Sequence, residues 1–184
     1  MTDLSNYFEG ALTFEEFVEA SENRGRSFQR NYRDAVIPED MVEAFAAVAK
    51  KRGGLRILVM SEAWCPDAAA NIPPLVRFME VVAEAAGVPV ETWHCFRSEV
   101  PELEGMLRGR GIDRIPAVIL ADGEYREIGC WQERPAAAQV LVDRIKELRE
   151  RGMESAAEAR ELREGYRSGQ LVRSTLEEIL DIVG

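Results

Sequence analysis

Of the side chains able to act as nucleophiles, the three cysteines, Cys65, Cys95 and Cys130, mark the positions where this 184-residue chain could do chemistry. Cys65 lies in Ser61-Glu62-Ala63-Trp64-Cys65-Pro66-Asp67, where a β-favouring apolar run over residues 55–60 stops and helical periodicity begins. A thiol at a helix start faces unpaired N–H groups and the positive end of the helix dipole. That setting stabilises the thiolate, typically by about one pKa unit or more, and only the thiolate attacks a disulfide or a peroxide. Cys65 is therefore the candidate nucleophile. The competing reading, a small buried and inert residue at a helix start, fits the same letters and stays open.

Cys95 follows Trp93-His94 at the end of a second β-like run, a pairing that could serve a metal or a catalytic dyad. Zinc takes about four ligands, and no close Cys or His pair supplies the others, so no metal and no other cofactor is expected. Cys130 sits in Gly129-Cys130-Trp131, near the end of another strand, where packing at the strand end is the simpler reading.

The elements that position these residues follow from periodicity. Thr13 and Glu16 have capping-box spacing, and Phe14, Phe17 and Val18 follow at helical intervals. Arg24, Arg26, Arg30 and Arg33, interleaved with Phe28 and Tyr32, read as a basic recognition strip or, more simply, as a solvated helix face. Pro38 suits the first turn of a second helix, with Met41, Val42, Phe45, Val48 and Ala49 as its apolar stripe. After the 55–60 strand, Leu75, Phe78, Val82 and Ala85 keep helical spacing, with Pro73 and Pro74 expected to distort or interrupt the helix. A strand over 88–93 and a short helix over 101–110 precede Ile115-Pro116, which opens a hairpin turning at Asp122-Gly123. A final helix from Pro135 is expected to bury Val140, Leu141, Ile145 and Leu148. The order is strand, helix, strand, helix, hairpin, helix, so the fold class is α/β with a mixed sheet covered on both faces. Expected boundaries are an N-terminal helical extension at 1–54, the core domain at 55–152 and a C-terminal helical extension at 153–184. Val172, Leu176, Ile179, Leu180 and Val183 mark one apolar face in that last segment, which packs on the domain or on a second copy in a homodimer.

Trp64-Cys65-Pro66-Asp67 at a strand-to-helix turn, with Ile115-Pro116 opening the later hairpin, resembles the thioredoxin superfamily, in particular bacterial thioredoxin-related proteins carrying a Trp-Cys-Pro-Asp motif. The resemblance implies a thioredoxin fold with extra N- and C-terminal helices. It implies that Cys65 is the reactive thiol and Pro116 a cis-proline opposite it. Trp64, Pro66, Asp67 and Ile115 would then share with Pro116 a groove for peptide backbone. Two departures qualify the activity. Ala68 stands where the family keeps its second cysteine, so a conventional dithiol reductase is ruled out, and Val59 stands where the family keeps a buried acid. Glu62 or Asp67 could replace that acid, but a solvated loop or a helix cap explains both, and the charge of Asp67 near Cys65 would oppose thiolate formation. In the family the last strand borders the same groove, which makes Cys130 a candidate resolving thiol, although strand alternation can equally turn it into the core.

With 23 basic against 33 acidic side chains, the net charge of −10 disfavours nucleic acid and anionic membranes as partners. The N-terminus shows no basic stretch followed by an apolar run, and a cytoplasmic location is expected. The expected function is thiol–disulfide exchange or redox sensing through Cys65 with a disulfide-containing protein or a low-molecular-weight thiol. The alternative is a non-catalytic binding module that uses the Pro116 groove for a peptide or protein.

Overall fold

A computed structural model describes residues 3–184, in the order α1 (Ser5–Glu9), α2 (Phe14–Ala20), α3 (Gly25–Arg33), α4 (Val42–Lys51), β1 (Leu55–Ser61), α5 (Pro66–Ala86), β2 (Val90–Phe96), α6 (Pro101–Arg108), β3 (Ala117–Asp122), β4 (Glu127–Gln132), α7 (Ala136–Glu150), α8 (Ala156–Arg167) and α9 (Gln170–Val183). Short 3₁₀ turns occupy Glu22–Arg24, Glu39–Met41 and Arg97–Glu99. The expected capping box forms: Thr13 Oγ1 accepts the Glu16 N–H, and the Glu16 carboxylate accepts the Thr13 N–H at 2.8 Å. Four α-helices precede β1, rather than the two read from the sequence, because Ser5–Glu9 forms a short helix and the arginine-rich stretch forms a helix of its own that buries Phe28. Among the described residues no helix is long and apolar enough to cross a membrane.

The sheet has the order β2-β1-β3-β4, with β1 and β2 parallel and the other pairs antiparallel. This is the mixed α/β arrangement expected. Residues paired across strands share a face. His94, Val59, Val118 and Trp131 therefore lie on one side, and Trp93, Leu58, Ile119 and Cys130 on the other. The first face carries α5 and α9: a Cβ at Gly129 would meet Ile182 of α9 at 2.5 Å, and the Trp131 indole N–H donates to Glu178 of α9 at 2.7 Å. On the second face, α6 buries Leu103 and Leu107, and the Gln132 side chain accepts the Arg114 N–H from the loop after it.

The helix closing the first face is not the one the sequence pointed to. α7 packs mainly on α8 and α9, whereas α9 lies directly on β4 and α5. Val140, expected in the core, is 68% exposed, and Leu141 is half-buried. The apolar residues of α9, Val172, Leu176, Ile179 and Val183, join the main core instead. That core also includes Leu4, Phe8, Phe17, Phe28 and Phe45, so burial is continuous across the boundaries expected at 54 and 153.

Pro73 and Pro74 do not break α5, which runs through both and buries them. A proline within a helix removes the N–H that would bond the carbonyl four residues earlier. For Pro73 that carbonyl belongs to Ala69, and the Asn31 side-chain amide of α3 donates to it at 2.6 Å. The lost backbone donor is replaced by a side chain from a neighbouring helix, which is how the helix continues. Asn31→Ala is expected to destabilise the protein by roughly 1 kcal/mol or more in the wild type. It should cost measurably less in a Pro73→Ala background, where a backbone donor is restored. A denaturant double-mutant cycle with zero coupling would refute the arrangement.

His94 is fully buried against the rings of Phe14 and Phe17, with centroids 5.6 and 5.4 Å away, and neither ring nitrogen has a hydrogen-bond partner among the described residues. Burial pushes its pKa down from 6.5 to about 3, so the folded protein keeps it neutral while the unfolded chain protonates it below 6.5. Stability from this group is complete above the unfolded pKa and is lost as pH falls toward the folded one. Between about pH 6.5 and 5 the loss should be roughly 2 kcal/mol. Equilibrium unfolding of His94→Leu should show a much flatter pH profile across this window, and equal slopes for the two proteins would exclude His94 as the source.

Candidate functional site

β1 ends at Ser61, and the chain turns through Glu62, Ala63 and Trp64 to place Cys65 at the N-cap of α5, with Pro66 as the first helical residue. Proline suits that position because its missing N–H would have no intrahelical partner. The Cys65 sulfur accepts the Ala68 N–H at 3.4 Å and donates to the Ile115 carbonyl at 3.4 Å. The Ile115–Pro116 peptide is cis. The structure thus brings together Cys65, Ile115 and Pro116 from sequence positions fifty residues apart. Trp64 and Pro66 flank the thiol on the surface, and the Trp64 indole is 59% exposed.

The thiol itself departs from expectation. Cys65 is only 4% exposed, and its pKa is raised, not lowered. Desolvation by burial is the largest cause and outweighs the N–H groups of Ala68 and Asp67 that favour the thiolate. Asp67 adds a smaller upward push, and Arg134 a downward one.

Asp67 is neither a helix cap nor a solvated loop acid. Its carboxylate is held by the Arg134 guanidinium through two hydrogen bonds of 2.9 and 2.6 Å, with both side chains largely buried. Arg134 also pairs with Glu133 at 2.8 Å and donates to Gln139. The Glu133 N–H donates to the Pro116 carbonyl at 2.8 Å. The β4–α7 turn therefore binds both the Pro116 loop and the first turn of α5. Asn71, one turn further along α5, donates to the Asp67 and Glu133 carbonyls and to the Tyr166 hydroxyl of α8, and accepts from Thr175 of α9. Burial pushes the Tyr166 phenol up to about 12, so it remains neutral. Arg134 and Asn71 escaped the sequence reading. The adjacent charges Glu133-Arg134 before a helix-starting proline were the signal for the first, and a polar residue on the apolar stripe of α5 was the signal for the second.

The remaining candidates lie elsewhere. Glu62 accepts the Ser98 N–H at 2.8 Å, holding the turn after β1 to the segment after β2. Val59 is buried between His94 and Val118. Strand alternation sends Cys95 to the face opposite His94, where its thiol meets the Val59 carbonyl and burial pushes its pKa up to about 12. Cys130 pairs with Ile119, four residues along the chain from Ile115, which is on the order of 10 Å down the strand from the Cys65 sulfur. A disulfide requires Cα atoms within about 7 Å. Cys130 also faces the α6 side, with its pKa pushed up to about 12 by burial and by Glu127. The structure does not bring this thiol to Cys65 as a resolving partner. Ala68, at the second motif position, is fully buried.

A thioredoxin family model matches residues 11–149. The chain belongs to the thioredoxin family. The match begins well before β1, so it takes in α2, α3 and α4 as well as the sheet. Among solved structures, this thioredoxin-family chain is similar to a protein of unknown function from Pseudomonas aeruginosa, with a TM-score of 0.69, 20% identity, and coverage of 100% of this chain and 98% of that one. It is also similar to an HIV epitope-scaffold, with a TM-score of 0.66, 18% identity, and coverage of 99% and 98% respectively. At these identities the likeness is one of fold, including the terminal helices. No curated protein matches the chain.

Removing the Arg134 charge should leave Asp67 uncompensated beside the thiol. Arg134→Gln is expected to slow alkylation of Cys65 at about pH 8 several-fold, by raising its pKa further, and to cost roughly 1–3 kcal/mol of stability. An unchanged alkylation rate in the folded variant would mean that the ion pair does not act on Cys65.

Proposed function

We propose that this chain is a single-thiol member of the thioredoxin family in which Cys65 exchanges with a disulfide-containing protein or a low-molecular-weight thiol through a mixed disulfide. The observation that carries the reading is the placement of the sulfur at the start of α5, between the Ala68 N–H and the Ile115 carbonyl, at the edge of a surface groove. Cys65 loses its proton to solvent, and the thiolate attacks one sulfur of the partner disulfide. The partner S–S bond breaks, and the leaving sulfur departs as a thiolate that takes up a proton. Approach of the Ala68 N–H to the sulfur favours the charged form at the moment of attack. Ala68 carries no thiol, so the second displacement falls to an external thiol. Its thiolate attacks the mixed disulfide, leaves with the partner as a new disulfide, and returns Cys65 as the thiolate.

The raised pKa sets the rate. With the thiol above its ordinary range, only a few per cent or less is ionised at neutral pH, so the exchange is slow there and quickens with pH. The same observation, together with the exposed Trp64, favours a second reading in which the groove beside Trp64 and Pro66 binds a peptide without covalent chemistry. Of the residues expected to share a groove, Ile115 and Pro116 are buried and Asp67 is engaged by Arg134, so these three do not line it. Labelling followed by peptide mass spectrometry separates the two. The Cys65 alkylation rate should rise about tenfold per pH unit between about pH 7 and 9. Incubation with an aromatic disulfide in the same range should give a mixed disulfide at Cys65. Turnover in an insulin reduction assay should be low and should increase in Ala68→Cys. Absence of any Cys65 adduct up to about pH 9 would leave the binding module as the function.

A further inference from the structure

α3 and the turn before it form one wall of the groove that opens on Trp64 and Cys65, a cavity of about 770 Å³. Arg24, Arg26 and Arg30 all line it, and among the described residues none of them forms an ion pair, although this chain carries ten more acidic than basic side chains. By contrast, Arg56, Arg97, Arg110, Arg126, Arg134 and Arg173 each hold a carboxylate. Among the described residues no Asp or Glu lines the groove. Asp67, one residue beyond it, is taken up by Arg134, and Asp34, which feels Arg30, is engaged by Arg33. The stretch is solvated, as expected of a helix face, and it forms a basic wall beside the reactive turn.

The wall is fixed in place. A Cβ at Gly25 would lie 2.3 Å from the Val18 carbonyl, so only glycine permits the close approach of α2 and α3. The bond from Asn31 to the Ala69 carbonyl ties the other end of α3 to α5. The helix backbone that carries the guanidiniums is thereby fixed relative to the groove, which removes that part of the entropic cost of binding.

We infer that the partner presented to Cys65 is an extended acidic peptide segment, whose carboxylates are bound by Arg24, Arg26 and Arg30 while its sulfur reaches the Trp64-Cys65 turn. This rests on the exchange reading above for the covalent step, but the charge recognition stands without it. Arg26 and Arg30 are one helical turn apart, about 6 Å between their Cβ atoms, and alternate residues of an extended chain are spaced about 6.8 Å apart. Carboxylates at alternate positions of a strand-like segment therefore have a spacing close to that of Arg26 and Arg30 along the helix. The overall negative charge does not cancel this attraction. At physiological salt, charges beyond about 8 Å are largely screened, so the three nearby arginines dominate what a peptide in the groove experiences.

The test uses three synthetic peptides of equal length, each with one cysteine activated as a mixed disulfide with thionitrobenzoate. They carry Asp, Ser or Lys at the alternate flanking positions. At about 100 mM salt the Asp peptide should form the Cys65 adduct at least about tenfold faster than the Lys peptide, and the ratio should shrink toward about two at about 500 mM. In the Arg24→Ala, Arg26→Ala, Arg30→Ala triple variant, all exposed positions, the ratio should fall to about one. Equal rates for the three peptides on the wild type would overturn the inference while leaving exchange at Cys65 intact. If no peptide forms an adduct, the exchange reading fails, and alkylated fluorescent peptides with Cys65→Ser protein decide the recognition by anisotropy. Tighter binding of the Asp peptide than of the Lys peptide supports it, and equal binding overturns it.

Discussion

The two prolines within α5 leave the carbonyls of Ala69 and Ala70 without a helical donor, and the first of these is answered from outside the helix by Asn31. Much of the architecture follows from this. α5 is the member on which α3, α4, β2 and α9 all pack, so a side-chain bond at its first turns fixes α3 relative to the thiol at its start. A helix without proline would already satisfy the Ala69 carbonyl with its own N–H, so the bond from Asn31 would replace no missing donor. The feature that reads in the sequence as a helix defect creates in the structure an attachment point at the Ala69 carbonyl, four residues from Cys65.

At the thiol, two effects of helix geometry oppose one another. Unpaired N–H groups at a helix start are worth about 0.3–1 kcal/mol to a nearby negative charge, and somewhat more when partly buried. Desolvation of a buried thiol acts against this and can reach several pKa units at full burial. With Cys65 almost wholly covered, desolvation prevails. The Asp67–Arg134 pair adjusts this balance. The carboxylate needed to anchor the β4–α7 turn would disfavour the thiolate, and the guanidinium that does the anchoring offsets it.

Local grammar was legible in the sequence wherever a single element determined it. The Thr13–Glu16 capping box, the 55–60 strand, the hairpin after Pro116 and the Trp64-Cys65 turn all follow from neighbouring residues. What escaped depends on residues far apart in the chain. Nothing near Val140 itself indicates that α7 loses the sheet to α9; the choice is made by the joint packing of the two helices, of which α9 carries the broader apolar face. The fate of the arginines of α3 depends on where α3 lies, which Asn31 and Gly25 decide through partners at Ala69 and Val18. The sign of the shift at Cys65 depends on how deeply the sulfur is covered, and a strand-to-helix motif does not specify this.

The seat of α9 and the shape of the site are linked through β4. Gly129 leaves room for Ile182 to lie against the strand, and a side chain there would push α9 away. Once seated, α9 presents Glu178, whose carboxylate accepts both the Trp131 indole N–H and the backbone N–H of Ala136 at the start of α7. Acceptance at a helix N-terminus is favourable for a carboxylate, so Glu178 draws the first turn of α7 toward α9. The connection from Glu133 to Pro135 lies between that anchor and the end of β4, and this is the stretch from which Arg134 reaches Asp67 and the Glu133 N–H reaches Pro116. The C-terminal helix, outside the region matched by the family model, thus helps to fix the turn that supports the thiol-bearing helix and the cis-proline loop.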